Sequence, residues 1–332
     1  MITAKLVGMK VASFFAGAGG LDLGFEQAGY EVSWANEYNP RIRATYEANH
    51  PGTVFDGRPI EEIKPEDVPS VDGIIGAPPC QSWSVAGHRR GIEDPRGRLF
   101  YPYIAIVREK KPLFFVAENV PGIVTKRHRA DFESFLEEFR GAGYEVSWQI
   151  LRGTDFGVAQ MRRRVIVVGV RSDLPWEYRF PEPVEVSPRK LTLRGAIGDI
   201  KTAFPTSNRP VRSLPLENLE YQSPVQWSEV WSEGLRRDEW DKPSYTIGTV
   251  MASLPIHPDS PRVQKRSDPQ FGKVRRLSVR ECARVQGFPD SFRFVYDRIR
   301  DGFLMVGNAT PPPLAYHVAL SLLPLAKFAE DR

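Results

Sequence analysis

Gly76-Ala77-Pro78-Pro79-Cys80-Gln81-Ser82-Trp83-Ser84 follows the apolar run Val71 to Ile75, which reads as a buried strand. Proline has no backbone donor and a fixed φ, so a strand that meets Pro78-Pro79 stops there. The backbone must leave the sheet, and Cys80 is the first side chain past the stop. Open α/β sheets hold their ligands at the carboxyl ends of parallel strands. Taken alone, Cys80 reads as a small buried cysteine in a turn. The chain on either side changes that reading.

Upstream, Val11 to Phe15 reads as a strand, the run to Gly20 as a glycine turn, and the stretch to Ala28 as a helix closed by Gly29. Glu31 to Asn36 reads as a second strand and Arg41 to Asn49 as a second helix. Downstream, Leu99, Tyr103, Ile104 and Val107 mark a helix face, and Leu113 to Ala117 is a strand. Phe132, Phe135, Leu136 and Phe139 recur at helical spacing. Tyr144 to Leu151 and Val165 to Val170 read as further strands, and Leu314 to Phe328 as a final apolar helix. This alternation predicts an α/β fold with a doubly wound, mostly parallel sheet. From about Arg171 prolines, tryptophans and charges replace periodicity, which predicts a smaller loop-rich domain over 186–301. The larger domain then comprises 1–185 and 302–332.

Composition sets outer limits. The 332 residues are 41% hydrophobic and 26% charged, enough for a sizeable core. No apolar run reaches the length of a membrane span, and Met1 to Lys10 carries no long apolar core, so neither a membrane partner nor a secretory leader is expected. Two cysteines argue for a reducing compartment, and with five histidines they form no metal-ligand pattern. The expectation is a cytoplasmic monomer without a metal. Net charge is only +4, but arginines cluster at Arg162-Arg163-Arg164, His88-Arg89-Arg90, Lys126-Arg127-His128-Arg129 and Arg275-Arg276. Together they favour a polyanionic partner.

The first turn points to a nucleoside. Phe15-Ala16-Gly17-Ala18-Gly19-Gly20 lies between a strand and a helix, where glycines let a ligand approach the backbone. Asp22 replaces the third glycine of a dinucleotide fingerprint, and the Lys-Ser/Thr of a phosphate loop is missing. Glu37, 20 residues after Gly17, ends the second strand, where a carboxylate can accept from both ribose hydroxyls. A ribose acid without phosphate machinery suits S-adenosylmethionine.

Four more runs complete the pattern: Glu118-Asn119-Val120, Gln160-Met161-Arg162-Arg163-Arg164, Arg280 to Pro289, and Gly307-Asn308-Ala309-Thr310-Pro311. With Pro-Pro-Cys-Gln, in this order, they resemble the cytosine-C5 DNA methyltransferase family over almost the whole chain. The stretch from Phe15 to Phe25 and the loop Gly91 to Gly97 look nearest to the branch containing the HaeIII methyltransferase. The resemblance implies an S-adenosylmethionine-dependent methyltransferase fold with a target-recognition domain. It implies methyl transfer to C5 of a flipped-out cytosine in double-stranded DNA, and a role beside a restriction endonuclease.

It assigns Cys80 as nucleophile, with its thiolate favoured by nearby arginines and a helix N-terminus. Glu118 would meet N3 and the amino group, Arg164 would hold O2, and Arg162 would position Arg164 or a phosphate. Phe15, Gly17, Gly19, Glu37, Tyr38, Pro79, Leu99 and Asn308 become cofactor neighbours. Gln81, Ser84, Arg96, Gln160 and Thr246 are expected at the DNA, with Gln81 to Arg98 as a closing loop. The family's acid near the adenine amino group is replaced here by Arg58-Pro59, which leaves Asp56 in doubt. Cys282 is expected to pack, not react.

Four other readings are open on the residues. An amino-group methyltransferase needs no thiol, so Cys80 argues against it. A transfer-RNA methyltransferase would share Pro-Pro-Cys-Gln and Glu-Asn-Val, but its middle-segment Cys-Phe-Thr is missing. A solitary regulatory DNA methyltransferase differs only in lacking an endonuclease partner. An inactive DNA-binding relative would be expected to lack some of these residues.

Overall fold

The computed structural model describes residues 8–79, 97–200, 237–249, 254–260 and 276–329. Cys80, Gln81, Ser84 and Arg96 lie outside them. The chain divides into two compact units: Met1–Arg152 with Arg163–Glu182 and Leu314–Arg332, and Gly153–Arg162 with Pro183–Pro313. The sequence boundaries at 185 and 302 assign Gly153–Arg162, residues 183–185 and residues 302–313 to the larger domain; in the structure all three belong to the second unit.

The first unit carries a seven-stranded sheet: β1 (Lys10–Phe14), β2 (Glu31–Asn36), β3 (Val54–Asp56), β4 (Gly73–Gly76), β5 (Phe114–Asn119), β6 (Tyr144–Arg152) and β7 (Arg163–Arg171). Their order is β3-β2-β1-β4-β5-β7-β6. Pairing is parallel from β3 to β5, and β7 runs antiparallel to both its neighbours. The expected mostly parallel sheet is therefore present, and β3 is a strand the sequence does not announce. Three residues are too few to show a period.

Helices α1 (Gly20–Gln27), α2 (Pro40–Asn49), α3 (Phe100–Lys110) and α4 (Arg129–Gly141) alternate with the strands. Phe132, Phe135, Leu136 and Phe139 of α4 are all buried, as their spacing predicts. Phe139 stacks on Phe115 of β5 at 4.0 Å between centroids, and Phe135 on Phe100 at 4.5 Å. Each such pair adds about 1 kcal/mol beyond its buried area. Gly73 and Gly169 interrupt strands because a Cβ there would overlap the rings of Phe114 and Phe115.

Among the described residues the second unit carries helices α5 (Leu193–Ile197), α6 (Val279–Gln286) and α7 (Ile299–Asn308) and single bridges such as Gln160 with Ser244. Ser278 and Glu281 form a reciprocal capping box that starts α6, and Cys282 packs fully buried inside it. Helix α8 (Pro312–Leu322) returns the chain to the first unit, where Tyr30 Oη donates to the Ala319 carbonyl at 3.1 Å.

Candidate active site

Register places the site. Phe14 pairs with Asn36 and with Gly76, and Gly76 pairs with Ala117. The next residues, Phe15, Glu37, Ala77 and Glu118, therefore lie along one edge, the first three just past their strands and Glu118 near the end of β5. A seam of strand ends is what an open parallel sheet offers a ligand.

At the β1 end, Phe15 has φ 52, a left-handed conformation uncommon for a bulky residue. It turns the chain into Ala16-Gly17-Ala18-Gly19. Gly17 also has positive φ, and a Cβ on it would meet no atom within 4 Å, so its face is open. Its N–H donates to Glu37 Oε2 at 3.2 Å, and the Asn39 N–H donates to Oε1 at 2.8 Å. Glu37 is buried, which pushes its carboxyl above the usual carboxylate range against those two backbone bonds. Each oxygen retains a lone pair, so the group suits the paired hydroxyls of a ribose. Tyr38 beside it is 63% exposed, a free ring for a purine to stack on. The cradle fits the adenosine half of S-adenosylmethionine.

Gly19 has a different reason to be glycine. A Cβ there would lie 2.1 Å from His50 Nε2. His50 is held by Glu26 at 2.9 Å and stacks on Tyr46, whose hydroxyl donates to the buried Asp22 at 2.6 Å. Ser13 donates to the same carboxylate at 2.6 Å. Burial raises the Asp22 carboxyl, and this network forms the floor beneath the glycine turn. Asp56 is engaged by Arg58, with Nη2 at 2.7 Å and Nε at 3.1 Å, and this pairing holds its carboxyl low.

At the β5 end, Glu118 and Arg164 form a buried ion pair, Nε to Oε1 at 2.5 Å. The approach is close but not aligned along the N–H, so the pair is a charge contact rather than a directed hydrogen bond. Sequence separates them by 46 positions. The antiparallel register joins them: Glu118 opposes Ile166, and Arg164 is the diagonal neighbour on the same face. Asn119 is a residue the sequence reading gave no role. Its Nδ2 donates to the Pro78 carbonyl at 3.1 Å, tying the Pro-Pro turn to the end of β5. An amide directly after the acid was the available signal. Pro79 and Leu99 are half-buried, and Leu99 ends the single 3-10 turn Gly97–Leu99 before α3.

Two side chains of the second unit lie elsewhere than the sequence reading puts them. Gln160 was expected at the DNA, but it is fully buried. Its Nε2 donates to Gln286 at 2.6 Å and its Oε1 accepts from the Ile247 N–H at 3.0 Å. Arg162 was expected to position Arg164 or a phosphate. It is 1% exposed and donates to the carbonyls of Ile247, Gly307 and Ala309 at 3.1, 2.7 and 3.0 Å. Both side chains hold the interior together. Thr246 is exposed, its hydroxyl donating to the Met161 carbonyl at 3.1 Å with its lone pairs free to accept. Asn308 is exposed at the end of α7. Among the described residues no group of His, Cys, Asp and Glu could hold a metal ion.

The chain is similar to known proteins over nearly its whole length. Residues 9–323 match the model of the C-5 cytosine-specific DNA methylase family. The chain is 45% identical over 321 residues to the type II methyltransferase M.MthTI of Methanothermobacter thermautotrophicus, covering 94% of this chain and 96% of that one. It is 43% identical to the type II methyltransferase M.NgoPII of Neisseria gonorrhoeae, covering 95% of each. Among solved structures, an S. pombe Dnmt2 methyltransferase superposes with a TM-score of 0.72 at 19% identity, over 96% of this chain and 99% of that one, which is a likeness of fold. The chain belongs to the C-5 cytosine-specific DNA methylase family.

Proposed function

We propose that this chain is the modification enzyme of a type II restriction–modification system, methylating C5 of one cytosine within a short duplex sequence. The observation that carries the reading is the buried Glu118–Arg164 pair, set on the sheet edge where the Pro78-Pro79 turn leads into Cys80. The relatives named type II methyltransferases support the biological role. Among the described residues no helix is long and apolar enough to cross a membrane; the reading takes the chain to act on DNA as a monomer in the cytoplasm.

C5 of cytosine is a poor nucleophile. The Cys80 thiolate adds to C6, which moves electron density onto C5 and toward N3 and O2. Glu118 shares a proton with N3, and Arg164 faces the negative charge developing at O2. S-adenosylmethionine, when bound, supplies the electrophilic methyl group that C5 takes. Phe15, Gly17, Gly19, Tyr38, Pro79, Leu99 and Asn308 would surround it, with Glu37 accepting from its ribose hydroxyls. Water then removes the C5 proton, the C5–C6 double bond re-forms, and the Cys80 sulfur leaves as thiolate. A cytosine inside a duplex is out of reach, so the base is flipped. Gln81, Ser84, Arg96 and Thr246 would hold the backbone and the vacated stack.

The test is transfer of labelled methyl to duplex DNA followed by bisulfite sequencing, which reads the modified base and its sequence context together. The expected product is 5-methylcytosine at one position of a short motif. A duplex with 5-fluorocytosine at that position should remain covalently attached through Cys80. Product methylated on an exocyclic amino group, or full activity in Cys80→Ser, would overturn the mechanism.

A further inference from the structure

The sheet edge that carries Glu118 also carries an uncompensated pair of cations. Arg152 is the last residue of β6 and Arg163 the first of β7, and the antiparallel register sets them directly opposite each other. Opposed residues in such a ladder project to the same face with Cβ atoms about 5 Å apart, and like charges there destabilise the sheet. Both are exposed. Among the described residues neither has a carboxylate partner.

Elsewhere the fold supplies one. Arg171, at the other end of β7, is paired with Asp173 at 2.7 Å. Arg108, Arg129 and Arg140 pair with Glu138, Glu133 and Glu137. Arg152 and Arg163 have none among the described residues, and they lie on the catalytic edge. Lys126 and Arg127, just before α4, are likewise exposed and without a carboxylate partner among the described residues. That helix begins on this face, since Phe132 and Arg129 both pack on the Trp148 ring of β6.

We propose that Arg152 and Arg163, on the α4 face of this edge and opposite the face of Glu118 and Arg164, together seat a backbone phosphate of the DNA substrate beside the catalytic edge. A phosphate between the two guanidiniums would convert their repulsion into two charge-assisted contacts. The inference rests on the DNA-methylation reading. Binding to an unmethylated duplex is measured without turnover, so the two can fail separately. Wild-type protein that makes no 5-methylcytosine ends the functional reading and leaves the binding result interpretable.

The experiment is fluorescence anisotropy of a target duplex titrated with the full-length enzyme between 50 and 200 mM salt. In Arg152→Gln/Arg163→Gln the slope of log affinity against log salt should shrink by about 1, so the affinity lost over that range becomes roughly threefold smaller. Arg152→Lys/Arg163→Lys should keep the wild-type slope. Arg152→Glu separates binding from folding. It should raise the melting temperature, by giving Arg163 a partner, and weaken DNA binding at the same time. An unchanged salt slope in the glutamine variant, or weakened binding only in proportion to a lowered melting temperature, overturns the proposal.

Discussion

Arg162→Met tests whether Arg162 holds the fold or takes part in the chemistry. Methionine keeps much of the length and removes every donor. The Ile247 and Gly307 carbonyls then lose the bonds at 3.1 and 2.7 Å, whereas the Ala309 carbonyl keeps a second donor, Gln286 Nε2 at 2.6 Å. Each buried acceptor left without a donor costs about 2 kcal/mol, so the two together cost about 4 kcal/mol. Relief from burying the guanidinium charge offsets part of that, leaving about 3 kcal/mol. For a unit of this size 1 kcal/mol moves the melting temperature by roughly 2–4 °C, so the shift should be about 6–12 °C downward. Differential scanning fluorimetry on wild type, Arg162→Met and Arg162→Lys reads it, with the lysine variant falling between. If Arg162→Met melts with the wild type yet no longer methylates DNA, the interior clamp is refuted and Arg162 returns to the chemistry.

Other consequences follow from the same geometry. Arg164→Ala leaves the Glu118 carboxylate buried without its partner, which should cost about 3–5 kcal/mol of stability and eliminate turnover; Glu118→Gln leaves the Arg164 guanidinium facing a neutral amide that can still accept from it, so the melting temperature should fall by less while activity is still lost. Glu37→Gln removes an ionised acceptor for two hydroxyls and should weaken S-adenosylmethionine binding about ten- to a hundredfold by calorimetry. Because burial raises the Glu37 carboxyl, wild-type affinity should also fall as pH drops through that raised value, and a pH-independent affinity would contradict the ribose role. Asn119→Ala frees the Pro78 carbonyl, so trapping on 5-fluorocytosine DNA should slow by about tenfold or more, with wild-type trapping rates counting against the tie. Asp238 accepts from the Ser244 hydroxyl at 2.6 Å and the Tyr245 N–H at 3.0 Å, and burial pushes its carboxyl up to about 6. A carboxyl raised in the folded state stabilises most below its unfolded value near 3.8, and that contribution is lost as pH rises through about 6. Melting curves at acid and neutral pH should show this loss in the wild type and not in Asp238→Asn.

Much of the catalytic unit was legible in the residues. The alternation of apolar runs, the Pro-Pro stop, the phenylalanines of α4 and the spacing of Gly17 and Glu37 are local signals, each set by backbone chemistry or by one period. The second unit offered few such signals. Helix α7 went unread because Gly302 and Gly307 dilute its pattern; in the structure a Cβ on either would meet atoms closer than 3.0 Å, Tyr296 and Val279 at one and the Gly248 backbone at the other.

The sequence by itself determined which groups the protein has for its chemistry and where each strand ends, since a proline, a glycine or a helix face acts within a few residues. Only the tertiary structure decided which polar groups face inward. Gln160, Arg162, Arg163 and Arg164 are near neighbours in one motif, yet two hold interior carbonyls and amides, one is exposed opposite Arg152, and one meets Glu118. Strand alternation divides Arg163 from Arg164, but the partners come from 11 to 147 positions away. A partner that distant is chosen by register and packing, which no local pattern encodes.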